Sequence, residues 1–377
     1  MTTADRVVVA AGGAAWEAQA IAVIESRSDL RLVRRCVDVA DLLAVGATES
    51  AEVAIVSPSL PGLDIEVIDR VRRAGLRLVA MTEGDPEAVG RLGLDEPLTL
   101  DALQSWSASE VDHIPSERRR QGALIAVWGP TGAPGRSAVA LSIASALAAR
   151  GTGTILVDAD VEGGAQAQAV GLLDDISGLV VSARAANQGL AHEAARHAQR
   201  IEPNLRLVTG LPRADMADQV RPVAYEAVIS ALLDDADAVV VDCGFSIDVE
   251  RGGRGGVTVA TLQRADQIIV VGRSDPLGLA RLVRSLHDLA TVAPGRAPRV
   301  LLNHARRSLG WNQREVDSTV SRLTGIAPEA HLPWDQNGWD AAALAGRTPR
   351  DAAPASPFVA RIEAFAATLV GQRQQAT

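Results

Sequence analysis

Along the first hundred residues, apolar and polar stretches alternate, and each stretch is about as long as one helix or one strand. Residues 14–25 predict a helix, and apolar runs predict strands at residues 6–10, 30–37, 53–56 and 76–81. Short strands separated by helices are typical of a parallel sheet with helices on both faces. Residues 1–106 are therefore predicted to form one α/β domain.

The same alternation returns with stronger apolar character after residue 122. Residues 123–128 are wholly apolar, residues 137–150 form an Ala-rich helical segment that ends before Gly151, and residues 154–157 predict the next strand. Continuous apolar strands indicate a parallel sheet that is buried on both faces. Residues 123–377 are thus predicted to form a second α/β domain. Its further strands are predicted at residues 205–208, 238–241, 267–271 and 300–302.

A polar segment, residues 107–122, separates the two predicted domains. It contains Pro115 and the run Arg118–Arg120. A composition shift of this kind is typical of a linker. The three arginines could contact acidic partners, but a solvated linker is the simpler interpretation.

Charge and cysteine usage narrow the class of protein. The 377-residue chain has 37 basic against 46 acidic residues, a formal net charge of −9, and contains no lysine. This balance argues against nonspecific binding to nucleic acid, although a local basic patch is compatible with it. Cys36 and Cys243 are predicted to be buried thiols in a reducing compartment. Because no signal peptide or membrane-spanning run is visible, the expected location is the cytoplasm.

Candidate chemistry begins with the glycine-rich turn between the strand at 123–128 and the following helix. Gly132 and Gly135 let the backbone approach a phosphate, whose charge the turn amides and the helix N-terminus would stabilise. Ser137 stands where a Mg²⁺-binding hydroxyl belongs, and Arg136 stands where a phosphate-binding lysine is expected. The alternative is a turn without a ligand, with Ser137 as a helix cap.

Carboxylates at the ends of two further strands favour the ligand-binding interpretation. Asp158 and Asp160 follow the strand at 154–157, and Asp242 follows the strand at 238–241. The carboxyl ends of parallel strands form the ligand-binding edge of an open α/β sheet. Asp242 is placed as a carboxylate that holds the metal through water. No spacing typical of a metal cluster occurs, and the six histidines are interpreted as ordinary surface or core residues.

At these residues the chain resembles the MinD/ParA family of deviant Walker-A ATPases. The resemblance implies bound ATP and Mg²⁺, with Ser137 and, through water, Asp242 on the metal side. It also implies that Asp160 orients the attacking water and that Asn303 contacts adenine. The resemblance further implies nucleotide contacts from the phosphate loop, from the strand end at Asp158 and from the segment after residue 332. These contacts are Thr131, Gly132, Ala133, Pro134, Gly135, Arg136, Ser137, Ala138, Asp158, Pro333 and Asp335.

Two departures from the family pattern bear on catalysis. Thr131 replaces the signature lysine that reaches the partner's phosphates in a dimer, and Arg136 replaces the lysine of the loop. Arginine keeps the charge and can bind phosphate in a bidentate way, but it is bulkier. The chain is therefore expected to bind ATP, with Arg136 and Asp160 as the catalytic residues of a slow ATPase or of one without turnover.

The first domain resembles a response-regulator receiver that lacks the receiver's chemistry. Ser57 occupies the place of the phospho-accepting Asp, and residues 10–13 carry no acidic pair. Glu96 and Pro97 replace the final Lys-Pro, and Thr82 alone is kept. Without the acidic pair there is no Mg²⁺ site, so the resemblance implies a pseudo-receiver used for docking. A generic flavodoxin-like domain is the alternative.

This domain order is similar to that of the CpaE/TadZ group, which positions Flp/Tad pilus machinery and includes septum-site-determining relatives. The resemblance implies a homodimer that localises a pilus, secretion or division complex, at a cell pole or at the membrane through partners. A DNA-partitioning ParA-like ATPase, with residues 306–314 as its basic patch, and a nucleotide-free scaffold are the alternatives. The apolar face of residues 356–371 is expected to pack on its own sheet and not on a membrane.

Overall fold

The computed structural model describes residues 4–48, 50–81, 86–94, 97–107, 122–132, 135–172, 176–249, 254–306, 308 and 310–369. The chain divides into two compact units, residues 1–118 with 185–191 and residues 119–184 with 192–377. The exact domain and linker bounds given above stay a prediction. Several residues of the sequence predictions lie outside the described residues: Thr82, Glu96, Arg118–Arg120, Ala133, Pro134 and Arg307.

The first unit is built on a parallel sheet with the strand order β2-β1-β3-β4. An isolated parallel bridge from Met81 to Leu98 continues the order beyond β4. Apolar clusters cover both faces of the sheet, as the alternation of strands and helices predicts. The elements are β1 (Asp5–Ala10), α1 (Glu17–Ser26), β2 (Leu30–Cys36), α2 (Val39–Ala47), β3 (Val53–Val56), α3 (Ile65–Arg73), β4 (Arg77–Ala80), α4 (Pro86–Arg91) and α5 (Leu100–Leu103).

The second unit has an eight-stranded sheet with the order β12-β11-β10-β5-β9-β6-β8-β7, in which β7 alone pairs antiparallel. The mostly parallel α/β architecture predicted from the sequence is confirmed. Its strands are β5 (Ala123–Trp128), β6 (Thr154–Ala159), β7 (Gln199–Glu202), β8 (Leu205–Val208), β9 (Ala238–Cys243), β10 (Gln267–Arg273), β11 (Arg299–Ala305) and β12 (Pro328–Pro333).

Helices cover both faces of this sheet. Helix α6 is buried along nearly its whole length, because the C-terminal helix packs over it. The apolar face predicted near the C-terminus lies in that core, with Phe358, Ile362, Phe365 and Leu369 all buried. The helices are α6 (Arg136–Ala149), α7 (Gln166–Ala169), α8 (Gly178–Asn187), α9 (Pro222–Asp235), α10 (Gly256–Arg264), α11 (Pro276–Val292), α12 (Gln313–Thr324), α13 (Gln336–Ala345), α14 (Pro349–Ala352) and α15 (Pro357–Ala366).

The central strands of the second unit bring the sequence-predicted carboxylates to one edge. Strand β9 lies between β5 and β6 and is parallel to both, so the three carboxyl ends meet. Asp242 is in register with Val127 of β5 and with Asp158 of β6. Buried Val and Ile side chains hold these strands from both faces, which fixes the position of the two aspartates.

Candidate functional site

The phosphate loop, residues 129–135, joins β5 to α6. Gly132 and Gly135 have φ angles of 65° and 91°, in the left-handed region that favours glycine. A Cβ atom on Gly135 would lie 2.2 Å from Nδ2 of Asn303, so a side chain at this position would require Asn303 to shift. The loop therefore brings its backbone close to the end of β11. Its residues Ala133 and Pro134 lie outside the described residues.

Arg136, the first residue of α6, turns back toward the loop. Its Nη1 donates to the carbonyl oxygen of Gly129 at 3.0 Å, and its Nη2 lies 3.2 Å from Oδ2 of Asp160. Both side chains of this ion pair are largely buried. The backbone amides of Glu162 and Gly163 donate to the other carboxylate oxygen of Asp160. Arg136 thus lies between the loop and the residue predicted to orient water.

The carboxylates of Asp158 and Asp242 are buried beside each other. Burial, together with the neighbouring charge of Asp242, raises the pKa of Asp158 to about 8. Burial also raises the pKa of Asp242 to about 6, an effect that the side chains of Ser137 and Gln166 oppose. Near pH 7 a proton is therefore favoured on Asp158, while Asp242 carries the charge of the pair, as long as no cation compensates it.

Gln166, the first residue of α7, joins the parts of this carboxylate cluster. Its Nε2 donates to the carbonyl oxygen of Ser137 at 2.9 Å and to Oδ2 of Asp242 at 2.8 Å. Its backbone N–H donates to Oδ2 of Asp158 at 3.0 Å. Nothing in the spacing of residues after Asp160 predicts that the chain returns to the strand ends at Gln166.

The donor set fits Mg²⁺ held partly through water. Oδ1 of Asp242 is buried and has no hydrogen-bond partner among the described residues, while its Oδ2 is bound by Gln166. The Ser137 side chain is close enough to lower the pKa of Asp242. A hydroxyl near a carboxylate that keeps one oxygen without a partner supplies oxygen ligands of the kind that Mg²⁺ and its waters use.

A cavity of about 250 Å³ opens beside Gly135, on the far side of the phosphate loop from Asp242. The predicted adenine contacts Asn303 and Pro333 line it, together with Ala138 at the start of α6. Its partly apolar wall with a few polar groups is typical of small-molecule sites. Its other lining residues are His304, Trp334, Asp335, Gln336, Trp339, Asp340 and Phe358.

Asp335 lies in the cavity wall, but both of its carboxylate oxygens are engaged. Oδ1 accepts the backbone N–H of Gly338 at 3.1 Å, which caps α13, and Oδ2 accepts the hydroxyl of Ser356. The geometry therefore gives Asp335 a role in holding the turn after β12. Asp335, predicted as a nucleotide contact, thus shapes the cavity wall.

His304 also lines the cavity, whereas the sequence predicts only an ordinary surface or core histidine at this position. It has a φ of 56°, which is unusual for a residue with a side chain and coincides with an irregularity in the pairing of β11 with β12. Its ring packs edge-on against Trp334, with the ring centroids 3.9 Å apart. Burial and the charges of Arg273 and Arg306 lower the pKa of His304 to about 4, so the ring is neutral near pH 7.

Thr131 and Arg281 define the outer side of the phosphate loop. Thr131 is exposed. Arg281 of α11 reaches the loop from the neighbouring helix, because a Cβ atom on Gly132 would lie 2.0 Å from its Nη1. The loop therefore has a second guanidinium beside it, contributed by a distant part of the sequence.

In the first unit, the residue that follows strand β3 is polar but uncharged. Ser57 follows β3, is buried, and accepts a hydrogen bond from the backbone N–H of Ser59 at 3.3 Å. Glu17 lies near the start of α1, and its carboxylate is paired with Arg35, which lowers its pKa. The end of β3 thus carries a hydroxyl at Ser57, and the pseudo-receiver interpretation stays a prediction.

Other predictions concern cysteines, metals and membranes. Cys36 and Cys243 are buried free thiols, and burial raises the pKa of each, that of Cys36 to about 11. Within the described ranges no group of three or more His, Cys, Asp or Glu residues is arranged to hold a metal ion. Among the helices in those ranges, none has the length and apolar character needed to cross a membrane.

Neither a family model nor a curated protein matches the chain. Several solved structures match the chain. A ParA family ATPase from Chlorobium tepidum TLS is 21% identical, with a TM-score of 0.55, 65% of this chain and 98% of that chain covered. The septum site-determining protein MinD from Pyrococcus horikoshii OT3, complexed with Mg-ADP, is 19% identical, with a TM-score of 0.54 and coverages of 66% and 96%.

A MinC:MinD cell division protein complex from Aquifex aeolicus is 16% identical to the chain. Its TM-score is 0.51, and the match covers 66% of this chain and 97% of that chain. At such identities the similarity shows the fold. The chain contains a MinD/ParA-type P-loop ATPase fold.

Proposed function

We propose that this protein is an ATP-binding spatial regulator of the CpaE/TadZ type, which localises a pilus-assembly, secretion or division complex and hydrolyses ATP slowly or not at all. One observation carries the proposal. A single edge of the sheet combines a phosphate loop with a largely buried arginine, a hydroxyl–carboxylate pair suited to Mg²⁺, and a cavity next to Gly135.

Each part of ATP has a matching group in this arrangement. The loop amides and Arg136 would bind the phosphates, and Ser137 with Asp242 would hold Mg²⁺, the latter through water. Arg281 adds positive charge beside Gly132, close to the position where Thr131 carries none. Asn303 and Pro333 line the cavity that would receive adenine. The related septum site-determining protein was solved with Mg-ADP, which supports this choice of ligand.

The contacts of Asp160 support slow turnover. One of its carboxylate oxygens accepts two backbone amides, and the other is paired with Arg136. A carboxylate with both oxygens engaged has little remaining capacity to orient an attacking water. The exposed Thr131 cannot supply the cation that would stabilise the developing charge. Binding energy would then serve a change of shape in the segments after Asp160 and Asp242, which a second copy or a partner would recognise.

A partner-directed role is supported by one relative with the same fold, which was solved as a MinC:MinD complex. We propose a homodimer that acts on a protein partner, with the first unit as a pseudo-receiver used for docking. A fluorescent fusion in the native cell tests localisation. A focus at the pole or septum is expected, and a uniform distribution of the wild-type fusion would contradict the spatial role.

Calorimetry with ATP and Mg²⁺ tests the binding step. The wild-type protein should bind, and Asp242→Ala should bind more weakly because the water-mediated metal contact is lost. Wild-type protein without detectable binding would favour the nucleotide-free scaffold. Strongly salt-dependent binding to nonspecific DNA would instead favour a partitioning ATPase, in which the exposed Arg306 and Arg314 belong to a basic patch.

A further inference from the structure

Gln166 is a buried amide at the meeting point of three structural elements. It contacts the start of α6 through the Ser137 carbonyl, the end of β9 through Asp242 and the end of β6 through Asp158. Its side chain is 1% exposed. Within the described chain, it is the residue whose polar atoms join both buried carboxylates of the site.

The hydrogen-bonding capacity of the Gln166 amide is matched to its two acceptors. The NH₂ group has two hydrogens, and it donates one to the Ser137 carbonyl and one to Oδ2 of Asp242. A donor that is bound on one side to the backbone of α6 has a fixed direction. The carboxylate of Asp242 is consequently fixed in rotation about its own axis.

Fixing one oxygen of Asp242 determines what the other can do. Oδ1 is buried and has no hydrogen-bond partner among the described residues, on a residue that is 0% exposed. A buried carboxylate oxygen without a partner is costly, and a water bound to a cation would remove that cost. Gln166 thus holds one oxygen so that the other is left for the metal side of the site.

A neutral amide suits this position better than a charged group would. Asp158 and Asp242 already place two carboxylates together, each with a raised pKa. A third acid there would add repulsion, and a cation would compete with the metal for the same oxygens. The neutral donor stabilises Asp242 without supplying the charge that Mg²⁺ would bring.

We propose that Gln166 is a positioning residue for the Mg²⁺–nucleotide site, where it orients the carboxylate of Asp242 and couples it to the segment that begins at Asp160. This inference rests on the proposed function and deepens it. With Mg²⁺ bound, a water on the metal would occupy Oδ1 of Asp242, and the hydrogen bonds of Gln166 would link that carboxylate to the start of α7. The position of residues 160–166 would then depend on whether the metal site is occupied.

The test compares ATP affinity with and without the metal. The dissociation constant of ATP is measured by calorimetry in Mg²⁺ and in EDTA. The value in EDTA divided by the value in Mg²⁺ states how much Mg²⁺ strengthens ATP binding. Gln166→Leu keeps the bulk but removes the donor, and the ratio should fall about tenfold, while affinity in EDTA stays within about twofold of wild type. Gln168→Leu is the matched control, because Gln168 is exposed on the same short helix. It should keep the wild-type ratio.

Three other outcomes would overturn the role of Gln166 in positioning Asp242. An unchanged ratio in Gln166→Leu, or an equal loss of affinity in both buffers, overturns the inference, because Gln166 would then act on the fold and not on Asp242. If Gln166→Leu does not fold, Gln166→Glu preserves the shape and replaces the donor by an acceptor. A wild-type ratio in that variant at pH 8 also overturns the inference. Absence of ATP binding by the wild-type protein overturns the proposed function itself.

Discussion

Arg136 of the phosphate loop and Asp160 at the end of β6 form a largely buried ion pair, with Nη2 of Arg136 3.2 Å from Oδ2 of Asp160. The pair joins a residue expected to bind phosphate to one expected to orient water. Because the guanidinium also donates to the carbonyl of Gly129, it is held in place before any phosphate arrives. The Nε of Arg136 is buried and has no hydrogen-bond partner among the described residues, so the guanidinium keeps a donor for a phosphate while it stays paired with Asp160.

Removing the guanidinium should weaken triphosphate binding. We expect Arg136→Ala to lower ATP affinity at least tenfold, because a charge-assisted contact to phosphate is lost. Arg150→Ala, an exposed arginine just after the opposite end of the same helix, is the control and should bind as wild type does. Asp160→Ala frees the guanidinium and should leave ATP affinity equal or raised. Calorimetry that finds Arg136→Ala equal to wild type would contradict the assignment of Arg136.

A side chain at Gly135 should disturb both the loop and the cavity. In Gly135→Ala the added Cβ would meet Nδ2 of Asn303 at 2.2 Å, in a backbone with a φ of 91°. Gly151→Ala is matched, because its φ is 86° and nothing lies within 4 Å of the added atom. The left-handed backbone costs both variants about 1–2 kcal/mol of unfolding free energy.

The contact with Asn303 should cost Gly135→Ala a further 1–3 kcal/mol, roughly the penalty for overpacking. Chemical denaturation of the two variants measures this difference. ATP affinity should fall in Gly135→Ala and stay unchanged in Gly151→Ala. Equal stability and affinity in the two variants would show that Asn303 moves away without cost.

The sheet of the second unit was largely predictable because its strands are continuous apolar runs. Since the carboxyl ends of parallel strands meet at one edge, Asp158 and Asp242 could also be predicted to lie together. Strand β7 was missed, since its sequence Gln-Arg-Ile-Glu is only partly buried at the sheet edge. Gln166 and Arg281 could not be found, because their role depends on how α7 and α11 return to the loop. The capping role of Asp335 had a visible signal, an Asp ahead of a helix.

His304 should make the folded protein sensitive to acid. Its pKa is lowered in the folded state, so its contribution to stability is fully present above the ordinary histidine pKa, near 6.5, and is lost as the pH falls from about 6.5 through 4. Because the ring is only partly buried, solvent screening reduces the expected difference to about 1 kcal/mol.

His304→Asn removes the titrating ring and keeps a residue that tolerates positive φ. Unfolding free energies at pH 7 and pH 4.5 should differ by about 1 kcal/mol less in His304→Asn than in the wild-type protein. His287→Asn is the control, because His287 is an exposed histidine on α11. If the pH dependence of stability in His304→Asn equals that of the wild type, the pKa of His304 is the same in the folded and unfolded protein.

Arg281 should contribute to phosphate binding although it is remote in sequence from the loop. Its Nη1 lies where a side chain on Gly132 would be, so its guanidinium is beside the loop that is expected to hold the phosphates. An exposed cation adds less than a buried one, and we expect Arg281→Ala to weaken ATP binding about threefold to tenfold. The effect should shrink for AMP, which has fewer phosphates, and at high salt, because exposed charges are screened.

Arg284→Ala provides the matched control, since Arg284 is on the same helix and its Nε donates to the backbone carbonyl of Ala280. Both substitutions remove one positive charge from α11, so any general effect of net charge is common to them. A selective loss in Arg281→Ala that diminishes with salt would assign a phosphate-facing role to this guanidinium. Equal affinities for the two variants, measured with ATP at low salt, would mean that proximity to Gly132 serves packing alone.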